Sequence, residues 1–100
     1  MIVRERETAD GLLVSVCDDG LLGESFEDGE VSITVTESFY QGESRSEEAV
    51  VEALERAAVA NIVGNRSVTV AVDAGIVDED HVLQIGEVSH AQVLNMTKMR

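Results

Sequence analysis

The side chains best suited to chemistry in this sequence are a cysteine beside a carboxylate and a histidine two residues from an amide. Cys17 and Asp18 end an apolar run, and such a thiol can bind a metal or act as a nucleophile if a histidine lies near. Asp18 and Asp19 would raise the pKa of the Cys17 thiol and so weaken it as a nucleophile. We therefore expect Cys17 to be a small buried apolar residue at the end of the strand. His90 and Gln92 point to one side of a predicted strand and need internal hydrogen-bond partners or a ligand, with a satisfied structural pair as the default.

Three further residues could contact a ligand or a partner. Asn61 interrupts the apolar pattern of a predicted helix, and Arg66 follows the glycine that ends it, so both could hold an anion at the free amides of residues 65–67. The alternative, which we favour, is a helix corner in which Asn61 satisfies loop carbonyls. Tyr40 could stack on a base or close the core, and with 3% aromatic residues in the chain core closure is favoured.

No catalytic or cofactor motif accompanies these residues. The sequence has no glycine-rich phosphate loop and no paired-carboxylate arrangement. His81, His90, Cys17 and an aspartate could meet in three dimensions, but no metal-ligand spacing supports them. The single cysteine excludes a disulfide framework and a zinc finger. We predict no metal, no cofactor and no catalytic residues; enzymatic activity stays open, with binding favoured over catalysis.

The elements that must position these residues follow from the turn signals and the apolar spacing. Asp-Gly and Gly-Glu turns between β-prone runs predict a hairpin at each end of the chain, and an alternating run after Asp28-Gly29 predicts a third, half-buried strand. The five predicted strands are 2–7, 12–17, 30–37, 82–85 and 88–96.

Two helices complete the prediction. Ser44 and Glu47 have capping-box spacing and predict a helix over 45–63, which ends before Gly64. Its buried stripe recurs every four residues, at Val50, Leu54, Ala58 and Ile62. Residues 67–74 fit a strand and a helix about equally, because the valines alternate while Asn65 and Gly75 suit helix ends.

Composition and charge bound the class of protein. The 100 residues carry a formal net charge of −13, and 44% are hydrophobic, which predicts a single α+β domain over 1–100. We expect an antiparallel or mixed sheet of about five strands packed with two helices, about 45–63 and 66–74. The charge disfavours DNA and, in ordinary salt, other nucleic acids. The acids are spread along the chain, which is typical of cytoplasmic proteins of salt-accumulating microbes, and no apolar run predicts a signal peptide or a membrane span.

Six blocks of residues follow one another in this order along the chain: Val14-Ser15-Val16-Cys17-Asp18, Leu21-Leu22-Gly23, Phe39-Tyr40-Gln41-Gly42-Glu43, Ala60-Asn61-Ile62-Val63-Gly64 with Arg66-Ser67-Val68, Val82-Leu83-Gln84-Ile85-Gly86, and His90-Ala91-Gln92-Val93. Together, over about residues 2–96, they resemble a family of short archaeal proteins classified as domain of unknown function 424. The resemblance implies an archaeal cytoplasmic protein and favours the helix at 66–74. No activity comes with it, but members tend to be encoded among translation and RNA-processing genes.

The predicted function is therefore a non-catalytic binding or accessory module, with a protein or RNA partner in translation or RNA processing. The alternative is a small enzyme or metabolite-binding protein with a pocket formed by Cys17, His90 and Gln92. That alternative requires the thiol and the imidazole to approach within hydrogen-bond reach, near 3 Å.

Overall fold

The computed structural model describes residues 1–99. Within them the strands are β1 (Ile2–Thr8), β2 (Gly11–Cys17), β3 (Ser25–Asp28), β4 (Val31–Thr34), β5 (Glu43–Ser44), β6 (Val59–Val63), β7 (Leu83–Ile85) and β8 (Val88–Leu94). The α-helices are α1 (Glu37–Tyr40), α2 (Glu47–Arg56) and α3 (Asn65–Asp73). Short 3-10 turns occupy Glu79–His81 and Met96–Lys98. None of the helices in this part of the chain has the length and apolar content needed to cross a membrane.

Six of the strands form one mixed sheet in the order β5-β1-β2-β6-β8-β7. β2 and β6 run parallel, and every other neighbouring pair is antiparallel. Both predicted terminal hairpins are confirmed, since β1 pairs with β2 and β7 pairs with β8. The predicted α+β class is confirmed, and the sheet is one strand larger than expected.

The remaining two strands form a separate hairpin. β3 pairs with β4 around the turn at Gly29, whose φ of +64° suits glycine. The strand predicted over 30–37 is shorter, at four residues, and its Val31 is exposed rather than half-buried. β3 was not predicted, because Ser25 to Asp28 has little apolar alternation and its partner strand supplies the pairing.

The helix predicted over 45–63 is wrong beyond residue 56. α2 spans ten residues, and β6 then enters the middle of the sheet between β2 and β8. A spacing of four residues places side chains on one side of a strand as well as on one face of a helix, so the stripe could not separate the two. The cap is also displaced: Ser46, not Ser44, accepts from the Ala49 N–H at 3.3 Å, while Ser44 pairs with β1.

The second helix is confirmed as α3, and it packs with α2 on one side of the sheet. The first core lies there and includes Val14, Val16 and Ile62 of the central strands with Leu54 of α2 and Val68 of α3. The second core lies on the opposite side of the sheet. It joins Cys17 and Val63 to Val35, Tyr40 and Ile85, with the β3–β4 hairpin packed against it. The hairpin covers the end of the sheet that contains Cys17, and the other end of that side belongs to neither core.

Candidate functional site

Cys17 lies at the end of β2 and is fully buried, with 0% of its surface exposed. Burial, followed by the negative charges of Asp18 and Asp19, raises the pKa of the thiol to about 11. The predicted rise in the pKa of the Cys17 thiol is confirmed, and desolvation is its larger cause. The thiol therefore stays protonated at neutral pH and is a poor nucleophile.

His90 lies on the same side of the sheet as Cys17 but two strands away. Cys17 pairs with Val63, and Val63 pairs with His90, so Val63 stands between them. Two strand spacings separate their Cα atoms by about 9.5 Å, and no hydrogen bond joins the two side chains. Gln92 lies two residues further along β8 and is exposed. The three residues of the alternative hypothesis are not gathered around one enclosed pocket.

Asp18 holds the start of α3 from a neighbouring element. Its carboxylate accepts hydrogen bonds from the Arg66 N–H at 3.1 Å, the Ser67 N–H at 2.7 Å and the Ser67 hydroxyl at 2.6 Å. Gly64 makes this approach possible, because a Cβ at that position would collide with the Asp18 carboxylate. Two of the three amides that could bind an external anion, those of Arg66 and Ser67, are therefore already bonded to a carboxylate of the chain itself.

Asn61 and Arg66, predicted as one anion site or one helix corner, lie on different elements and on opposite sides of the sheet. Asn61 is on β6 and not on a helix, and its side chain points away from α2 and α3 because Ala60 and Ile62 point toward them. Arg66 is exposed near the start of α3, where its guanidinium lies 3.4 Å from Glu47. The two residues therefore do not form a shared anion site. They do not form the predicted helix corner either, since Asn61 bonds no loop carbonyl of the described chain.

Tyr40 ends α1 and is buried in the second core. Its ring meets the ring of Phe39 edge to face, with centroids 5.0 Å apart. Burial raises the pKa of its hydroxyl to about 12. A side chain in this position has no face free for a base.

The uncovered half of the sheet presents a row of polar side chains. Residues paired directly across neighbouring strands point to the same side, so the register fixes this row. We call it the polar row: Arg4, Ser15, Asn61 and Gln92 on β1, β2, β6 and β8. None of these four side chains has a hydrogen bond or an ion pair with another residue between 1 and 99. Ser15 is only 2% exposed and lies between Arg4 and Asn61, whose side chains are longer.

A second row lies beside the first, one pleat further from the second core. We call it the apolar row: Leu13, Val59 and Leu94, with Arg6 at its β1 end. The three aliphatic residues belong to neither core, and 63% of Leu94 is exposed. The polar and apolar rows together form the open sheet face.

The open sheet face differs in charge from the rest of the chain. All twenty Asp and Glu residues except Glu5 and Asp18 are exposed, yet none lies on this side of the five strands β1, β2, β6, β7 and β8. On β1 the alternation separates the charges, since Arg4 and Arg6 point to the open face while Glu5 and Glu7 point to the helices. The face is therefore basic at one edge and uncharged elsewhere.

His90 borders the open sheet face at its boundary with the second core. It is half-buried, and burial lowers the pKa of its imidazole, which favours the neutral ring. Neither His90 nor Gln92 has the internal hydrogen-bond partner expected for a structural pair, as far as residues 1–99 are concerned. The predicted common orientation of the two side chains on one strand is correct.

The prediction included Asn61 and Gln92 but missed the residues that surround them. Arg4, Arg6, Leu13, Val59 and Leu94 are ordinary strand residues in the sequence. The one signal available was the alternation of Arg and Glu along β1, which already assigns the two charge signs to opposite sides of a strand. His81 lies in an exposed 3-10 turn, and no three His, Cys, Asp or Glu side chains of the described chain are placed to hold a metal ion.

These features define a small α+β protein with helices on one side of a mixed sheet and a half-covered surface on the other. The chain belongs to the family described as Protein of unknown function (DUF424), whose model matches residues 6–96. It is also similar to an uncharacterized conserved protein from the archaeon Methanopyrus kandleri, with 27% identity, a TM-score of 0.75, and coverage of 94% of this chain and 91% of that one. Comparison with curated proteins gave no match.

Proposed function

We propose that this protein is a non-catalytic binding module, an accessory factor in archaeal translation or RNA processing, whose partner docks on the open sheet face. The observation that carries the proposal is the absence of carboxylates from the strand residues of the open sheet face in a chain with a net charge of −13. Surfaces that bind partners are depleted in Asp and Glu and enriched in Arg, and this one has both properties.

Unsatisfied groups on the same face support the proposal. A sheet side that faces water normally has polar residues on it, and here the half of one side that no layer covers includes three aliphatic side chains. Leu13, Val59 and Leu94 leave apolar surface in water, and the four polar side chains beside them have donors and acceptors to offer. A partner that covered this half of the sheet would complete its packing.

A catalytic role has less support. The one cysteine is buried with a raised pKa, and Val63 separates it from His90. A nucleophile and a base within hydrogen-bond reach would be the minimum for that role.

The test is an affinity capture from archaeal extract in molar KCl with three immobilised proteins. These are the wild type, the charge-neutral double variant Gln92→Ala/Leu94→Ser, and Val31→Ser, which trims an exposed apolar residue outside the open sheet face. We expect translation or RNA-processing components on the wild type and on Val31→Ser, and at least about fivefold less of them on the double variant. Recovery of the same components on all three proteins, or of none of this class on the wild type, would overturn the proposal. Thermal melts confirm that each variant is folded.

A further inference from the structure

Two arginines of the open sheet face have no ion-pair partner among residues 1–99, in a chain rich in carboxylates. Arg45 and Arg56 both bond Glu5, and Arg66 pairs with Glu47. Arg4 and Arg6 form no ion pair with any other residue of the range 1–99, although the sequence contains twenty Asp and Glu. They stand two residues apart on one side of β1, so their Cα atoms are about 6.7 Å apart. The edge of the face at β1 is thus complementary to an external group with negative charge.

The apolar row excludes some anionic partners and suits others. Leu13, Val59 and Leu94 lie on three adjacent strands, so they form a strip about 10 Å wide. Single-stranded RNA is usually held by stacking its bases on aromatic rings. The three aromatic residues of this chain, Phe26, Phe39 and Tyr40, all belong to the second core, so the open sheet face has no ring on which a base could stack. Aliphatic side chains of a protein match the strip better than nucleotides do.

The polar row supplies the remaining contacts of a protein interface. Asn61 and Gln92 face each other across β6 and β8, and each amide can donate and accept. Ser15, only 2% exposed, lies between Arg4 and Asn61. Hydrogen-bonding groups beside an apolar patch are the usual anatomy of a protein interface.

From these observations, and resting on the proposed function, we infer that the partner is a protein surface that sets aliphatic side chains on the apolar row and carboxylates against Arg4 and Arg6. The aliphatic contacts exclude water, and the carboxylates neutralise the two unpaired guanidinium groups. The partner is therefore acidic at the contact, although this chain is itself strongly acidic.

The experiment uses a phage-displayed library of random 16-residue peptides. The library is depleted on Gln92→Ala/Leu94→Ser and then selected on the wild type, so the clones that remain depend on the open sheet face. The depleting variant has the same charge as the wild type. Depletion therefore does not itself favour acidic or basic peptides, and the charge of the selected peptides reports on the open sheet face. We expect sequences that combine Leu, Ile or Val with Asp or Glu. Selection of Lys- or Arg-rich peptides, or no enrichment, would overturn the inference.

A consensus peptide from that selection is then titrated against variants. Arg4→Gln/Arg6→Gln should weaken its binding about tenfold or more, because two charge-assisted contacts are lost. Arg66→Gln is the matched control and should change the affinity less than about twofold, since Arg66 lies on the helix side. Equal binding by all three proteins would contradict the inference, as would tighter binding of a labelled 12-nucleotide oligouridylate to the same face. If the extract capture still depends on this face in either case, the proposed function stands and only the partner chemistry is wrong.

Discussion

Glu5 points away from the open sheet face and ties β1 to the segment that leads into and forms α2. Its two oxygens accept from the Arg45 guanidinium at 2.6 Å and the Arg56 guanidinium at 2.7 Å. The hydrogen bonds from Arg56 and Arg45 outweigh partial burial and lower the pKa of the carboxyl to about 2. Both acids of β1 therefore lie on the helix side, and the charged residues on its other side are arginines.

Replacing Glu5 with Gln should destabilise the fold by about 1–2 kcal/mol at pH 7, less than the pKa difference alone implies, because Arg56 is half exposed to solvent. The folded-state pKa lies below the ordinary value of 4.5, so this contribution is complete above pH 4.5 and disappears as the pH falls toward 2. Urea unfolding of wild type and Glu5→Gln from pH 7 to pH 2.5 measures the difference.

The curve for Glu48→Gln serves as the control, since Glu48 is exposed on α2. Glu48→Gln should stay within about 0.5 kcal/mol of the wild type over the whole range. A difference between wild type and Glu5→Gln that does not shrink below pH 4.5 would contradict the role given to the two arginines.

At the scale of elements, the contact between Asp18 and α3 sets the junction between the sheet and its helices. Gly64 precedes α3 and has no side chain to cap the helix, and the Asp18 carboxylate supplies that cap from the end of β2.

Asp18→Ala should lower the free energy of unfolding in urea by about 1–2 kcal/mol, and Asp18→Asn should lower it less because an amide oxygen still accepts. Faster amide exchange at Arg66 and Ser67 in Asp18→Ala would localise the loss. Equal stability of all three proteins would show that the cap is not needed.

The sequence predicted the elements whose signals are local. Asp10-Gly11 and Gly86-Glu87 mark turns between apolar runs, and both hairpins formed as expected. β6 was missed because its identity depends on distant partners: residues 59–63 pair with β2 on one side and β8 on the other. Such pairing overrides a local helix pattern, and only the β-branched Val59, Ile62 and Val63 hinted at it.

The candidate surface was predictable in part, for a similar reason. The common side of His90 and Gln92 follows from their spacing, and the opposite orientation of Arg4 and Glu5 follows from strand alternation. Which half of that side stays uncovered depends on where the β3–β4 hairpin packs, and no local pattern encodes this. Asn61 was placed on a helix, so its position opposite Gln92 could not be anticipated.

At the scale of the whole molecule, charge repulsion concentrates where the helices meet. A groove of about 810 Å³ runs between α2 and α3, and carboxylates outnumber the single arginine along it: Glu47, Glu48, Glu52, Glu55 and Asp73 lie there with Arg66. Together with the net charge of −13, this arrangement opposes compaction at low ionic strength.

We therefore expect the melting temperature to rise between 0.1 M and 2 M KCl. Screening acts mostly below about 0.5 M, where the Debye length falls fastest, and stronger apolar burial or cation binding would account for a further rise. In 0.1 M KCl the triple variant Glu48→Gln/Glu52→Gln/Glu55→Gln should melt above the wild type. A flat or falling melting temperature with salt would remove the interpretation of the acids as an adaptation to a salt-rich cytoplasm.

The most direct test of the central claim is a map of contacts made in an archaeal extract. Gln92 on the open sheet face and Thr69 on the helix side are both exposed, and each can be replaced with the photoreactive p-benzoylphenylalanine. After irradiation in molar KCl, the account predicts a discrete cross-link to a translation or RNA-processing protein from Gln92→p-benzoylphenylalanine and none from the Thr69 variant. The cross-link should disappear when Arg4→Gln/Arg6→Gln is added. A cross-link to such a protein from Thr69 alone would contradict the assignment of the open sheet face as the docking surface.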